Sequence, residues 1–268
     1  MKILFVLTFF LIGCVSKVER IPSSIDTNPQ STLLPYSFVL PSFIANDKIY
    51  RSKIKIGIID TGVDWNHYYL KNFKSNLQKK EGAVDPIGHG THVAGIVVKE
   101  MVNRIGRGIQ DRVEIISYSY VRPNSTIDKN RERLISALKQ ALEDDVSFLN
   151  LSFSGPNFDQ EEYDLLTQLS DKGVRIFVAA GNNGDSDPTY PCAYQIDNLA
   201  CVANLNGDSL DLSSSYGPNV SMAEQGTEIY STLPNNQFGF RTGTSMATPL
   251  ALVKILKLEL FLQDLELN

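Results

Sequence analysis

The chain has 268 residues, enough for one large domain or two small ones. With 43% hydrophobic and 21% charged residues it has average globular composition, which excludes collagen-like, disordered and multi-span membrane classes. Its net charge of -5 suits a polyphosphate backbone poorly, so nucleic acid is set aside as a partner.

Lys2 precedes an apolar run over residues 3–12, ILFVLTFFLI. As a helix it would span about 15 Å of a roughly 30 Å hydrocarbon layer, too little to cross. It reads instead as a secretory signal. Leu11-Ile12-Gly13-Cys14 ends the run and resembles a bacterial lipobox, which implies a signal peptide over 1–13, cleavage before Cys14 and acylation of its thiol. Ordinary cleavage with Cys14 incidental is the plainer alternative. Residues 14–50 hold Pro22, Pro29, Pro35 and Pro41 with no sustained period. We read a lipid-anchored linker, a coil of about 30 to 36 Å reach, unless the apolar patch from Leu33 to Ile44 packs onto the domain.

From residue 51 onward short β-rich runs alternate with helical patterns. Ile54–Ile59, Val113–Tyr120, Val146–Leu151 and Val174–Ala179 are expected strands, apolar enough to be buried on both faces. Between them, Glu132–Leu142 repeats apolar residues at helical intervals, and Asp159 with Glu162 caps a helix that stops at Gly173. A last apolar helix is expected over 249–262, with Pro249 in its first turn. This alternation predicts an α/β fold, a mostly parallel sheet flanked by helices on both faces, with sites at the carboxyl ends of strands.

Three motifs fall at such ends. Asp60-Thr61-Gly62 follows the first strand; an aspartic protease would need a second such loop, and no other Asp-Thr-Gly or Asp-Ser-Gly occurs. Gly88-His89-Gly90-Thr91-His92-Val93-Ala94-Gly95 opens a helix with small residues along one side, but Gly90 stands where a zincin needs Glu. Zinc on His67, His89 and His92 is the weaker alternative. Gly243-Thr244-Ser245-Met246-Ala247-Thr248-Pro249 puts a serine at a helix N-terminus, where free N–H groups stabilise developing negative charge; a capping serine is the bland reading.

The order Asp60, His89, Ser245 and the residues around each closely resemble subtilisin-like serine proteases, over about residues 51 to 262. The resemblance implies Ser245 as nucleophile, His89 as general base and acid, and Asp60 as the group holding the imidazole. It places the oxyanion donor on Asn182, in Ala179-Ala180-Gly181-Asn182, and a structural role on His92. It also implies that Ser152, Phe153, Ser154, Gly155 and Gly181 line the substrate site, with Tyr120–Asn124 as the opposite rail. Relatives commonly carry Gly where Ser154 stands, so a slightly narrower pocket is expected.

Cys192 and Cys201 enclose eight residues in an exported chain, so a disulfide is expected there. Calcium is usual in the family, but Asn103-Arg104-Ile105-Gly106-Arg107-Gly108 brings cations where oxygen ligands belong, so no site is assigned and no cofactor is expected. Asp185 and Asp187 read best as a solvated turn. Two departures stand out: no segment before residue 51 matches a folding propeptide in length, and the chain looks C-terminally short. The leading reading is a monomeric, extracytoplasmic, lipid-anchored endopeptidase of protein or peptide substrates in the bacterial envelope. Its alternative is a catalytically impaired peptide-binding module on the same scaffold.

Overall fold

The computed structural model describes Tyr50 and residues 52–266. The signal segment 1–13, Cys14 and the linker as far as residue 49 lie outside the described residues. Strands β1 (Ile54–Asp60), β2 (Val113–Ser119), β3 (Phe148–Leu151), β4 (Arg175–Ala179), β5 (Leu199–Asn206), β6 (Ser209–Leu210) and β7 (Met222–Gln225) form one seven-stranded sheet. Its order is β2-β1-β3-β4-β5-β6, with β7 also on β5, and every pairing is parallel except β5 with β6. β8 (Ile229–Leu233) and β9 (Gln237–Arg241) make a separate antiparallel hairpin. The helices are α1 (His89–Arg104), α2 (Ile127–Glu143), α3 (Gln160–Asp171) and α4 (Thr244–Glu266).

Strand side chains alternate between faces, and both faces are covered. Ile54, Ile56 and Ile58 of β1, Phe148 of β3 and Phe177 of β4 pack with Val93 and Val97 of α1 and Leu252 and Leu256 of α4. Ile59, Leu149, Leu151, Ile176 and Val178 point the other way, onto Ile135 and Leu138 of α2 and Leu165 and Leu169 of α3. Each such buried side chain contributes about 1.5–3 kcal/mol. The expected α/β sheet with helices on both faces is therefore the observed one. The strand order reverses between β1 and β3, which opens a crevice at their carboxyl ends.

Element boundaries differ from expectation in two instructive places. α2 starts at Ile127, not near 132, because Thr126 Oγ1 accepts from the Lys129 N–H at 3.3 Å and caps a first turn too exposed to show an apolar period. α4 starts at Thr244, so Pro249 lies inside the helix rather than in its first turn. Proline there cannot donate to the carbonyl four residues back, that of Ser245. Ser152 Oγ donates to that oxygen instead, at 2.8 Å.

The far half of α4 is tied down by polar side chains. Glu259 accepts from the buried Arg175 of β4 at 2.7 Å and from the Tyr50 hydroxyl at 2.5 Å. Gln263 exchanges hydrogen bonds with the Tyr50 main chain in both directions. Cys192 and Cys201 form the expected disulfide. Among the described residues, no helix is long and apolar enough to cross a membrane.

Candidate active site

Asp60 is the last residue of β1 and His89 the first of α1. Both are buried, and His89 Nδ1 lies 2.8 and 2.9 Å from the two Asp60 carboxylate oxygens. A carboxylate only accepts, so Nδ1 donates and carries the proton of the neutral ring, which leaves Nε2 as the basic nitrogen. The Thr61 N–H donates to the same Asp60 oxygen at 2.7 Å, holding the carboxylate in plane with the turn. Gly90 must be glycine, since a Cβ there would strike the Gly62 carbonyl and the Asp60 side chain. Gly95 must be small because α1 lies directly against Ser231 and Thr232 of β8.

A residue missed in the sequence organises this corner. Asp85 is buried, and its Oδ1 accepts from the Thr61 hydroxyl at 2.8 Å and from the N–H groups of Ile87 and Gly88 at 3.2 and 2.7 Å. Its Oδ2 accepts from the Thr91 N–H and hydroxyl at 2.8 and 2.7 Å. Thr61 Oγ1 in turn accepts from the Gly90 N–H at 2.9 Å. The loop before α1, the turn after β1 and the first turn of α1 thus converge on one carboxylate. The available signal was an acidic residue opening the turn Asp85-Pro86-Ile87-Gly88, a position where Asp bonds the N–H two residues on.

Ser245 is the second residue of α4, two past the position a capping serine takes, so it does not act as the cap. Its N–H belongs to the first turn, which has no intrahelical acceptors. Its hydroxyl donates to the Ser152 carbonyl at 2.9 Å. Asn182 follows the end of β4, and its Oδ1 accepts from the Thr244 N–H at 2.9 Å and the Thr244 hydroxyl at 3.2 Å. A backbone N–H can only donate, so the amide orientation is fixed and Nδ2 faces away from Thr244. Asn182, Thr244, Ser245, Ser152, Phe153 and Ser154 line a cavity of about 310 Å³. Tyr120–Ser125 line the same cavity.

Within the expected substrate wall the residues differ in what they offer. Ser152 is buried, and its Oγ also accepts from Asn150 Nδ2 at 2.8 Å. Phe153 packs against Tyr120 with ring centroids 4.8 Å apart. Gly155 has both its N–H and C=O paired with Tyr190, at 2.8 and 2.7 Å, so strand pairing at that residue is internal. Gly181 donates to Thr244 Oγ1 at 3.3 Å and accepts from the Ser215 N–H at 2.9 Å. Ser154 and Thr189 crowd Gly181: a Cβ there would sit 3.2 Å from Ser154 Oγ and 3.3 Å from Thr189 Cγ2. Thr189 carried no sequence signal for this role.

The three histidines do not converge on a metal. His67 Nδ1 accepts from the Tyr69 N–H at 3.2 Å, so Nε2 carries the proton and donates to Gln237 O at 3.1 Å. His92 Nε2 bonds Gly239 O at 3.2 Å and ties α1 to β9. Burial first, and Arg241 second, push its pKa down to about 3, so it stays neutral. In the segment 103–108, Arg104 is paired with Glu100. Among the described residues no group of three or more His, Cys, Asp or Glu side chains is placed to hold a metal ion.

A doubly wound α/β sheet with a carboxylate-held histidine, a serine at a helix N-terminus and an oriented amide defines a hydrolase of the serine type. The chain belongs to the subtilase family, whose model matches residues 51–254. It is 32% identical to the major intracellular serine protease of Bacillus subtilis (strain 168), over 79% of this chain and 72% of that protein. It is 30% identical to thermitase of Thermoactinomyces vulgaris, over 74% and 72%. In fold it resembles a cold adapted subtilisin-like serine proteinase, with a TM-score of 0.62 and 23% identity over 82% of this chain and 84% of the other. It is a serine-type endopeptidase, and its substrates are proteins or peptides.

Proposed function

We propose that the chain hydrolyses peptide bonds through an acyl-enzyme, with Ser245 as nucleophile, His89 as base and acid, Asp60 as the group holding the imidazole, and Asn182 as oxyanion donor. The observation that carries this is the Asp60 carboxylate on His89 Nδ1, combined with Asn182 and Ser245 lining one cavity. Ser245 Oγ swings its proton from the Ser152 carbonyl to His89 Nε2 as it attacks the substrate carbonyl. The tetrahedral oxyanion is met by Asn182 Nδ2 and the Ser245 N–H. His89 then hands the proton to the leaving amine, and a water repeats the sequence in reverse to free the acyl group. The machinery needs no cofactor.

Phe153 and Ala179, which line the cavity beside Ser245, support cleavage after medium or large apolar residues. A fluorophosphonate should label the purified protein once, at Ser245, and His89→Ala should abolish labelling. A folded sample that binds peptides but neither labels nor cleaves would instead be the impaired binding module.

We also propose that 1–13 is removed on export, that Cys14 is lipidated, and that residues 14–50 tether a monomeric catalytic domain, 51–268, at the extracytoplasmic face of a bacterial membrane. The disulfide between Cys192 and Cys201 supports an oxidising compartment. Cys14→Ala should move the protein from the membrane to the soluble fraction, because attachment rests on acyl chains.

A further inference from the structure

We propose that Glu162 forms the floor of a subsite beside the cleft that selects a basic side chain, lysine above all, on the acyl side of the scissile bond. This rests on the peptidase reading of Ser245 given above.

Glu162 lies in the first turn of α3 and is 7% exposed. Its Oε2 accepts from the Tyr194 hydroxyl at 3.0 Å, while Oε1 is buried with no hydrogen-bond partner. A buried carboxyl oxygen left without a donor is costly, and an apolar residue would serve the core better there. Glu162 is among the residues lining a cavity of about 200 Å³ between α2 and α3, with its carboxyl just beneath the surface, and the lining also includes Ile127, Leu134, Phe153 and Phe158, with Arg131 and Asp159 at its charged side. Tyr120, Ile127, Asn130, Phe153 and Ser154 line both this cavity and the one that holds Ser245, so the two adjoin. Apolar walls over an acidic floor fit a side chain with a long hydrocarbon stem and a donor at its tip, which describes lysine. A substrate running antiparallel to Ser152–Ser154, with its scissile carbonyl at Ser245, carries its preceding residues toward this mouth.

The charges around Glu162 leave it unbalanced. From α2 comes Arg131, whose guanidinium is held by Asp159 and Glu161. Asp159 itself, at the start of α3, adds negative charge, and the phenols of Tyr194 and Tyr120 are the remaining titratable neighbours. Burial first raises the Glu162 carboxyl to about 7, with the Tyr194 hydrogen bond opposing and Asp159 adding to the rise. The group is a neutral acid below that pH and a carboxylate above it. Attraction for a lysine ammonium therefore grows as pH rises, while a leucine side chain experiences no such change.

The test uses quenched peptides in which each residue before the scissile bond is varied in turn among Lys, Leu and Glu, read as the ratio of kcat/KM for Lys over Leu. Ratios cancel the pH dependence of the chemical step. At one position the wild-type ratio should reach about tenfold near pH 8.5 and shrink toward unity near pH 5.5. Glu162→Gln should hold it low at both values. Leucine equal to or above lysine at every position and both pH values overturns the subsite, as does a pH-dependent lysine preference that survives in Glu162→Gln. The wild-type pH series decides the matter alone if the variant folds poorly. Failure of the peptidase reading has a different signature, no cleavage of any peptide, and overturns both.

Discussion

Ser152 and Ser245 hold each other by two crossed hydrogen bonds: Ser152 Oγ donates to the Ser245 carbonyl at 2.8 Å, and Ser245 Oγ donates to the Ser152 carbonyl at 2.9 Å. The first exists because Pro249 cannot serve the Ser245 carbonyl from within α4. The second holds the Ser245 hydroxyl on the Ser152 main chain. Ser152→Ala removes only one hydroxyl, yet it leaves the Ser245 carbonyl and Asn150 Nδ2 without that partner. We expect a loss of about 1–3 kcal/mol in urea unfolding together with a lower kcat, because the backbone under the nucleophile is no longer pinned. An unchanged urea midpoint would contradict this account.

Asp85 touches no substrate, so its effect must pass through His89. Asp85→Asn keeps the shape but replaces one acceptor oxygen with an NH2 that confronts donors on Gly88, Thr61 or Thr91. We expect kcat to fall at least about tenfold with KM little changed, since a displaced imidazole costs orientation rather than binding. Asp85→Glu should not restore it, because the longer side chain cannot reach all five donors at once. A KM effect with intact kcat would move Asp85 out of this positioning role.

The groups proposed to react were legible because each lies in a run of unusual local composition at a strand end or helix start: Asp60 after IKIGIID, His89 before a small-residue helix, Ser245 before Pro249. Their supports were not. Ser152 acts through Ser245, 93 residues on, and Asp85 reaches back 24 residues to Thr61, so no short window contains both ends of these contacts. Pro249 misled for a physical reason: proline suits a first helical turn, but the Ser152 hydroxyl, just past β3, serves the carbonyl it leaves without a donor and lets it sit deeper. Tyr50 read as the end of a linker, while its hydroxyl and main chain are fastened to α4.

His92 should give the enzyme an acid-sensitive step in stability. Its pKa is near 3 in the folded chain and about 6.5 when unfolded. Above pH 6.5 both states hold it neutral and it contributes nothing. Below that, the unfolded chain binds a proton that the folded one refuses, so stability falls by about 1.4 kcal/mol per pH unit until pH approaches 3. His92→Gln keeps a donor for Gly239 O and cannot take up that proton. Its Tm should be lower than wild type at pH 7.5, and its decline between about pH 6 and 4 should be shallower. Parallel declines would show that other groups set the acid limb.

Asn182 combines two duties that substitutions can separate. Its Oδ1 caps the Thr244 N–H in the first turn of α4, and its Nδ2 is the group proposed to meet the oxyanion. Asn182→Ala loses both, so a fall in turnover there mixes a disturbed helix start with a lost donor. Asn182→Asp keeps an oxygen for Thr244 and replaces the donor with a second oxygen, negative at neutral pH, facing the developing charge. We expect Asn182→Asp to match the wild type in fluorescence-monitored unfolding while its kcat drops further than that of Asn182→Ala, whose loss should be about 10² to 10³, the size known for such a donor in a subtilisin. KM should change little in either, since the amide acts on charge present only in the transition state. If Asn182→Asp retains near-native kcat, the oxyanion is held by other donors and the assignment of Asn182 falls.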